Sequence, residues 1–118
     1  MITGRVRNLE AIVELEVAGP TGQRQAVGAV IDTGYNGHLT LPANVVSSLG
    51  LPFAGHRRGK LADGSITILD VHLAVIWHGR QRDVMVLQAA GGALLGMALL
   101  AGSRLTVDVF EDGTVTVD

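Results

Sequence analysis

The sequence has no cysteine, which excludes disulfide frameworks, thiolate zinc sites, iron–sulfur clusters and thiol nucleophiles. Aromatic residues are almost as scarce. Two Phe, one Tyr and one Trp in 118 residues make a poor stacking platform for single-stranded nucleic acid. Charge is sparse too, at 17% of residues, and eleven acids against nine bases leave a formal charge of −2. A field that weak gathers neither nucleic acid nor anionic lipid. No apolar run reaches the roughly 18 residues that cross a bilayer. The start Met1-Ile2-Thr3-Gly4-Arg5-Val6-Arg7 has no hydrophobic signal core. The expectation is a cytoplasmic protein with no membrane or nucleic-acid partner.

Apolar residues, by contrast, make up 47% of the chain, enough for one domain over residues 1–118 that folds without staples. Sixteen glycines separate short runs of Val, Ile and Leu, the pattern of many short strands joined by tight turns. The fold class expected is all-β, with one or two short helices. Ala11–Val17 alternates apolar and acidic residues at period two, as a strand with one wet face does. Gly19-Pro20-Thr21-Gly22 turns the chain into a second strand, Gln25–Ile31. After a short strand over His38–Leu41, Pro42 opens a helix with Val45, Val46 and Leu49 on one face, closed by Gly50 and Pro52.

Further along, Ala62-Asp63-Gly64-Ser65 is the turn of a hairpin, with Asp-Gly supplying a positive φ. Its second arm continues to Trp77, and His78–Gln81 turns into a strand over Asp83–Leu87. Leu94-Leu95-Gly96-Met97-Ala98-Leu99-Leu100 reads as a buried strand end followed by a two-turn helix stopped at Gly102. Arg104–Phe110 and Thr114–Val117 form a closing hairpin around Glu111-Asp112-Gly113. His56-Arg57-Arg58-Gly59-Lys60, the only basic cluster, is expected to be a solvated loop. The four histidines are irregularly spaced and predict no metal site.

Chemistry points to Ala29-Val30-Ile31-Asp32-Thr33-Gly34, where a carboxylate ends a nearly all-apolar strand. Asp is depleted in strands and costly to bury without partners, so its placement there asks for a reason. The plainer one is a turn, with Asp32 capping the following amides and Gly34 at positive φ. The sharper one is a carboxylate pair. Two carboxylates at hydrogen-bonding distance titrate in separated steps, so one holds a proton while the other is ionised, and together they form an acid and a base.

Three segments in order, Asp32-Thr33-Gly34, Ala62-Asp63-Gly64-Ser65 and Leu94-Leu95-Gly96, give the sequence a resemblance to the retropepsin-like aspartic proteases, specifically their small bacterial single-domain members. That resemblance covers roughly Ala11 to Val117. It implies a retropepsin-like acid protease barrel working as a homodimer, with Asp32 as the catalytic aspartate. Thr33 would reach across the dimer axis, and Gly34 would let the loop turn and the substrate backbone approach. Ala62, Asp63 and Gly64 would belong to a flap over a peptide or unfolded protein substrate. One such Asp per chain requires the second from a symmetry mate across a two-fold axis. No cofactor and no metal are implied. Tyr35 and Ala98 depart from the family pattern, which usually has alanine or serine at the first position and often a polar residue at the second. The alternative is a retropepsin-like dimeric module that binds peptides with little or no catalysis.

Overall fold

The computed structural model describes residues 1–60, 63–77 and 80–118, with the side chains of 57, 59, 67–77, 80, 81 and 83 excepted. Among the described residues, ten strands form one open sheet in the order β5-β6-β7-β4-β8-β3-β2-β1-β10-β9. The all-β expectation holds. Strand β2 (Glu10–Ala18) buries Val13, Leu15 and Val17 and exposes Glu14 and Glu16, the period-two pattern of its sequence. It pairs antiparallel with β3 (Arg24–Ile31), where Leu15 faces Val27 and Val13 faces Ala29.

Beyond β3 the chain loops through residues 32–38 into β4 (Leu39–Leu41). Strand β8 (Ala93–Leu95) lies between these two, parallel to β3 with Ile31 beside Leu95 and antiparallel to β4 with Leu39 beside Leu95. All three residues of β4 are buried, as expected for a strand with β7 (Arg80–Gln88) on its other side. The helix α1 (Ala43–Leu49) follows Pro42 and buries Val45, Val46 and Leu49. Gly50 ends it at φ +60°, a left-handed conformation that glycine adopts without Cβ strain.

The hairpin with Asp-Gly at its tip joins β5 (Phe53–Lys60) to β6 (Ile66–Trp77), which pairs onward with β7. The basic cluster is therefore not a loop. His56, Arg58 and Lys60 lie exposed on β5, the edge strand of the sheet, because charged side chains suit an edge that must not pair with another chain. Two other expectations shrink. The helix after Gly96 is one turn, α2 (Met97–Leu100), because Ala101 leaves helical geometry and Gly102 takes φ +86°. Strand β9 (Leu105–Val107) stops short of Phe110, since Asp108–Gly113 is folded into the turn before β10 (Thr114–Val117).

One strand, β1 (Ile2–Arg7), goes beyond the sequence reading. It lies between β2 and β10, with Ile2 opposite Val117 and Val6 opposite Ala11. The core runs along the inner face of the sheet, where Val6, Val13, Ala29, Leu41, Leu49, Val86, Leu95, Leu99, Val115 and Val117 are nearly or fully buried. No helix among the described residues is long and apolar enough to cross a membrane.

Candidate active site

Asp32 stands where the parallel pairing of β3 with β8 ends. Its amide donates to the Leu95 carbonyl at 2.9 Å, carrying the ladder one residue past Ile31. The Tyr35 amide then returns to the Asp32 carbonyl at 3.1 Å and closes a turn. Across from it, Gly96 donates to His38, Met97 to Tyr35 and Ala98 to Gly37, at 2.9, 2.8 and 3.1 Å. Four backbone bonds therefore knit the Asp32 loop to the end of β8 and the start of α2, and the Tyr35–Asp32 bond closes the loop on itself. Each contributes about 1 kcal/mol net, so the loop is held on a rigid base rather than free to wander.

Glycine at position 96 follows from this crossing. A Cβ there would strike the Gly37 carbonyl oxygen and lie 2.8 Å from the Tyr35 carbonyl oxygen, so only glycine lets the two backbones meet. The third-motif resemblance thus has a packing cause in this chain. On the far side of α2, the Arg82 guanidinium donates to the carbonyls of Ala98 and Leu99 at 3.3 and 3.4 Å, satisfying helix-end acceptors that have no partner within the helix. Thr40, buried in β4, accepts the Leu94 amide on its hydroxyl at 2.9 Å. Neither Arg82 nor Thr40 stood out in the sequence. The only signal for Thr40 was a hydroxyl between two leucines.

The carboxylate of Asp32 is half-buried, and its Oδ1 accepts the Gly34 amide at 2.9 Å. Gly34 is not at positive φ, contrary to the turn reading; a Cβ there would sit 3.2 Å from Asp32 Oδ1. Glycine serves close approach to the carboxylate, not a left-handed backbone. No Lys or Arg pairs with Asp32 among the described residues; Arg7 pairs with Asp112 and Arg24 with Glu16. The loop thus orients one oxygen of the Asp32 carboxylate.

Thr33 is exposed beside a depression of about 450 Å³ that Met97, Leu100, Ala101, Gly102, Ser103 and Leu105 also line. Met97 is 46% exposed there, a large apolar side chain at the mouth of an open hollow. Asp63 and Gly64 are exposed at the hairpin tip, with Gly64 at φ +88° as the Asp-Gly pattern requires. Asp63 Oδ1 accepts both the amide and the hydroxyl of Ser65, at 2.9 and 2.6 Å, and these bonds hold its carboxyl below the usual carboxylate range. Those bonds are local to the hairpin tip, while Asp32, Thr33 and Gly34 are consecutive in the loop after β3. Ala62 lies outside the described residues. No three His, Asp or Glu side chains among the described residues are close enough together to hold a metal ion.

No protein-family profile matches the sequence, and no curated protein matches it. The fold does match a solved structure. A retropepsin-like aspartic protease from Rickettsia conorii aligns over 99% of this chain and 87% of its own, at 16% identity and a TM-score of 0.55. At that identity the likeness is one of fold.

Proposed function

We propose that this chain, which has the retropepsin-like fold, is an aspartic endopeptidase active as a homodimer. The observation that carries the proposal is the Asp32 loop. A carboxylate without a Lys or Arg partner among the described residues is oriented by Gly34, and its loop is locked by four backbone bonds to the Leu95–Ala98 segment. A rigid, polarised carboxylate is what water activation needs, and a turn alone needs no such second anchor. One chain supplies one Asp32. An isologous dimer sets each axial residue against its own mate, and the exposed Thr33 beside the Met97–Leu105 hollow offers a face for that contact.

In the dimer the ionised Asp32 takes a proton from water while the protonated mate polarises the scissile carbonyl, and the peptide bond is hydrolysed without a covalent intermediate. The β5–β6 hairpin would close over an extended peptide, whose backbone pairs with protein strands. Its tip at Asp63 and Gly64 is the flap in this reading. Unfolded protein and extended peptides are the substrate class.

The test joins sedimentation with cleavage of an unfolded protein by the wild type and Asp32→Asn across acidic to neutral pH. The expected species is twice 12.3 kDa, with cleavage in the wild type alone. A strict monomer at high concentration, or retained cleavage by Asp32→Asn, removes the proposal. A dimer that binds extended peptides without cutting them is the non-catalytic module instead.

A further inference from the structure

The Tyr35 side chain lies inside the crossing rather than at its margin. A Cβ built on Gly37 would have its three nearest neighbours in Tyr35, at the hydroxyl, Cζ and Cε1. A Cβ on Gly96 would lie 2.5 Å from Tyr35 Cδ2. The ring therefore fills the space above two glycines, one in the Asp32 loop and one at the start of α2. We propose that the Tyr35 ring is a positioning residue, clamping the loop that carries Asp32 against the Gly96 turn.

Several features support this assignment. The ring is half-buried, and both backbone groups of the same residue are used: its amide donates to the Asp32 carbonyl and its carbonyl accepts the Met97 amide. Anchoring the side chain therefore anchors one of the four bonds of the crossing and the bond that closes the Asp32 turn. Gly37 is free of positive-φ constraint, so what excludes a side chain there is the ring itself. An aromatic next to a catalytic loop, packed on glycines, loses little rotamer freedom while contributing a large rigid contact. A displaced Asp32 carboxyl costs rate steeply, because activation of water depends on sub-ångström placement.

The kinetic consequence rests on the endopeptidase reading; the structural one does not. Tyr35→Phe keeps the ring and is expected to stay closer to the wild type than Tyr35→Ala does, since the clamp is the ring's packing on Gly37 and Gly96. Tyr35→Ala is expected to lower kcat roughly tenfold or more with KM changed less than about twofold, since the ring orients the carboxylate and does not hold substrate. Amide exchange at Met97 and Ala98 in the same variant should quicken by about tenfold as their acceptors loosen. A double-mutant cycle adds a readout independent of turnover. Gly37→Ala should destabilise the wild type but be tolerated in the Tyr35→Ala background, where the colliding ring is gone.

Equal cost of Gly37→Ala in both backgrounds overturns the clamp, as does unchanged exchange at Met97 and Ala98. So does a Tyr35→Phe variant that falls as far as Tyr35→Ala, or a Tyr35→Ala effect confined to KM. A wild type that cuts no peptide removes the endopeptidase reading, and the clamp is then decided by exchange and by the cycle.

Discussion

Asp32 and Leu95 are bonded directly, the amide of one to the carbonyl of the other at 2.9 Å, one residue beyond the point where β3 and β8 cease to be paired strands. The candidate catalytic residue is thus the first residue of a loop and still part of a ladder. Its backbone inherits the rigidity of the core through Leu95, which is fully buried.

Asp32→Asn should fold like the wild type, because the amide oxygen can still accept the Gly34 N–H, whereas Asp32→Ala removes that acceptor. The alanine variant is expected to lose about 1 kcal/mol relative to asparagine in urea denaturation. Both should be inactive. Equal stabilities would show that the Asp32–Gly34 bond does not hold the loop.

Leu95→Ala opens a cavity beneath the crossing and should cost about 2–5 kcal/mol. Thr40→Val is subtler: it strips the acceptor from the Leu94 amide inside the sheet, for which about 1–3 kcal/mol is expected. Chemical denaturation of the two variants checks both figures. A Thr40→Val protein as stable as wild type would mean that the Leu94 amide has found another acceptor.

Much of this arrangement could be foreseen from residues with strong local signals. Pro42 and Gly50 bracket α1, and Asp63-Gly64 marks the hairpin tip, because each fixes backbone angles that few other residues adopt. The β1–β2 hairpin was invisible for the opposite reason. Its turn places Asn8 and Leu9 at φ +50° and +63°, and a leucine in that conformation gives no turn signal. Strand β5 was hidden by its own composition, a basic run preceded by Gly55, at φ +128° next to a register shift. In the site, Asp32, Thr33 and Gly34 announced themselves as a motif. The Gly37–Gly96 contact did not, since it joins residues far apart in sequence through backbone atoms that every residue type shares.

Gly64→Val places a β-branched residue at φ +88°, a conformation costing such side chains roughly 1–2 kcal/mol. Nothing lies within 4 Å of a Cβ there, so the cost is conformational and confined to an exposed tip. Melting temperature should fall far less than for Leu95→Ala, while peptide cleavage drops if the hairpin is a working flap. Unchanged cleavage would take Gly64 out of the flap role.

The tip should also respond to pH through Asp63. The Ser65 hydroxyl and then the Ser65 amide bond its ionised carboxylate, and both lower its pKa from the ordinary value of 3.8. A depressed folded pKa means that the ordering these bonds give is fully present above 3.8 and is lost as pH falls through the lowered value. At neutral pH the turn is therefore ordered, and only strong acid releases it. Ser65→Ala removes the larger contribution while leaving the amide bond, so the Asp63 carboxyl should titrate closer to 3.8 and the tip should loosen at a higher pH. Carboxyl carbon chemical shifts followed through an acid titration of both proteins measure this. Identical Asp63 midpoints in the wild type and Ser65→Ala would show that the hydroxyl bond is not formed in solution.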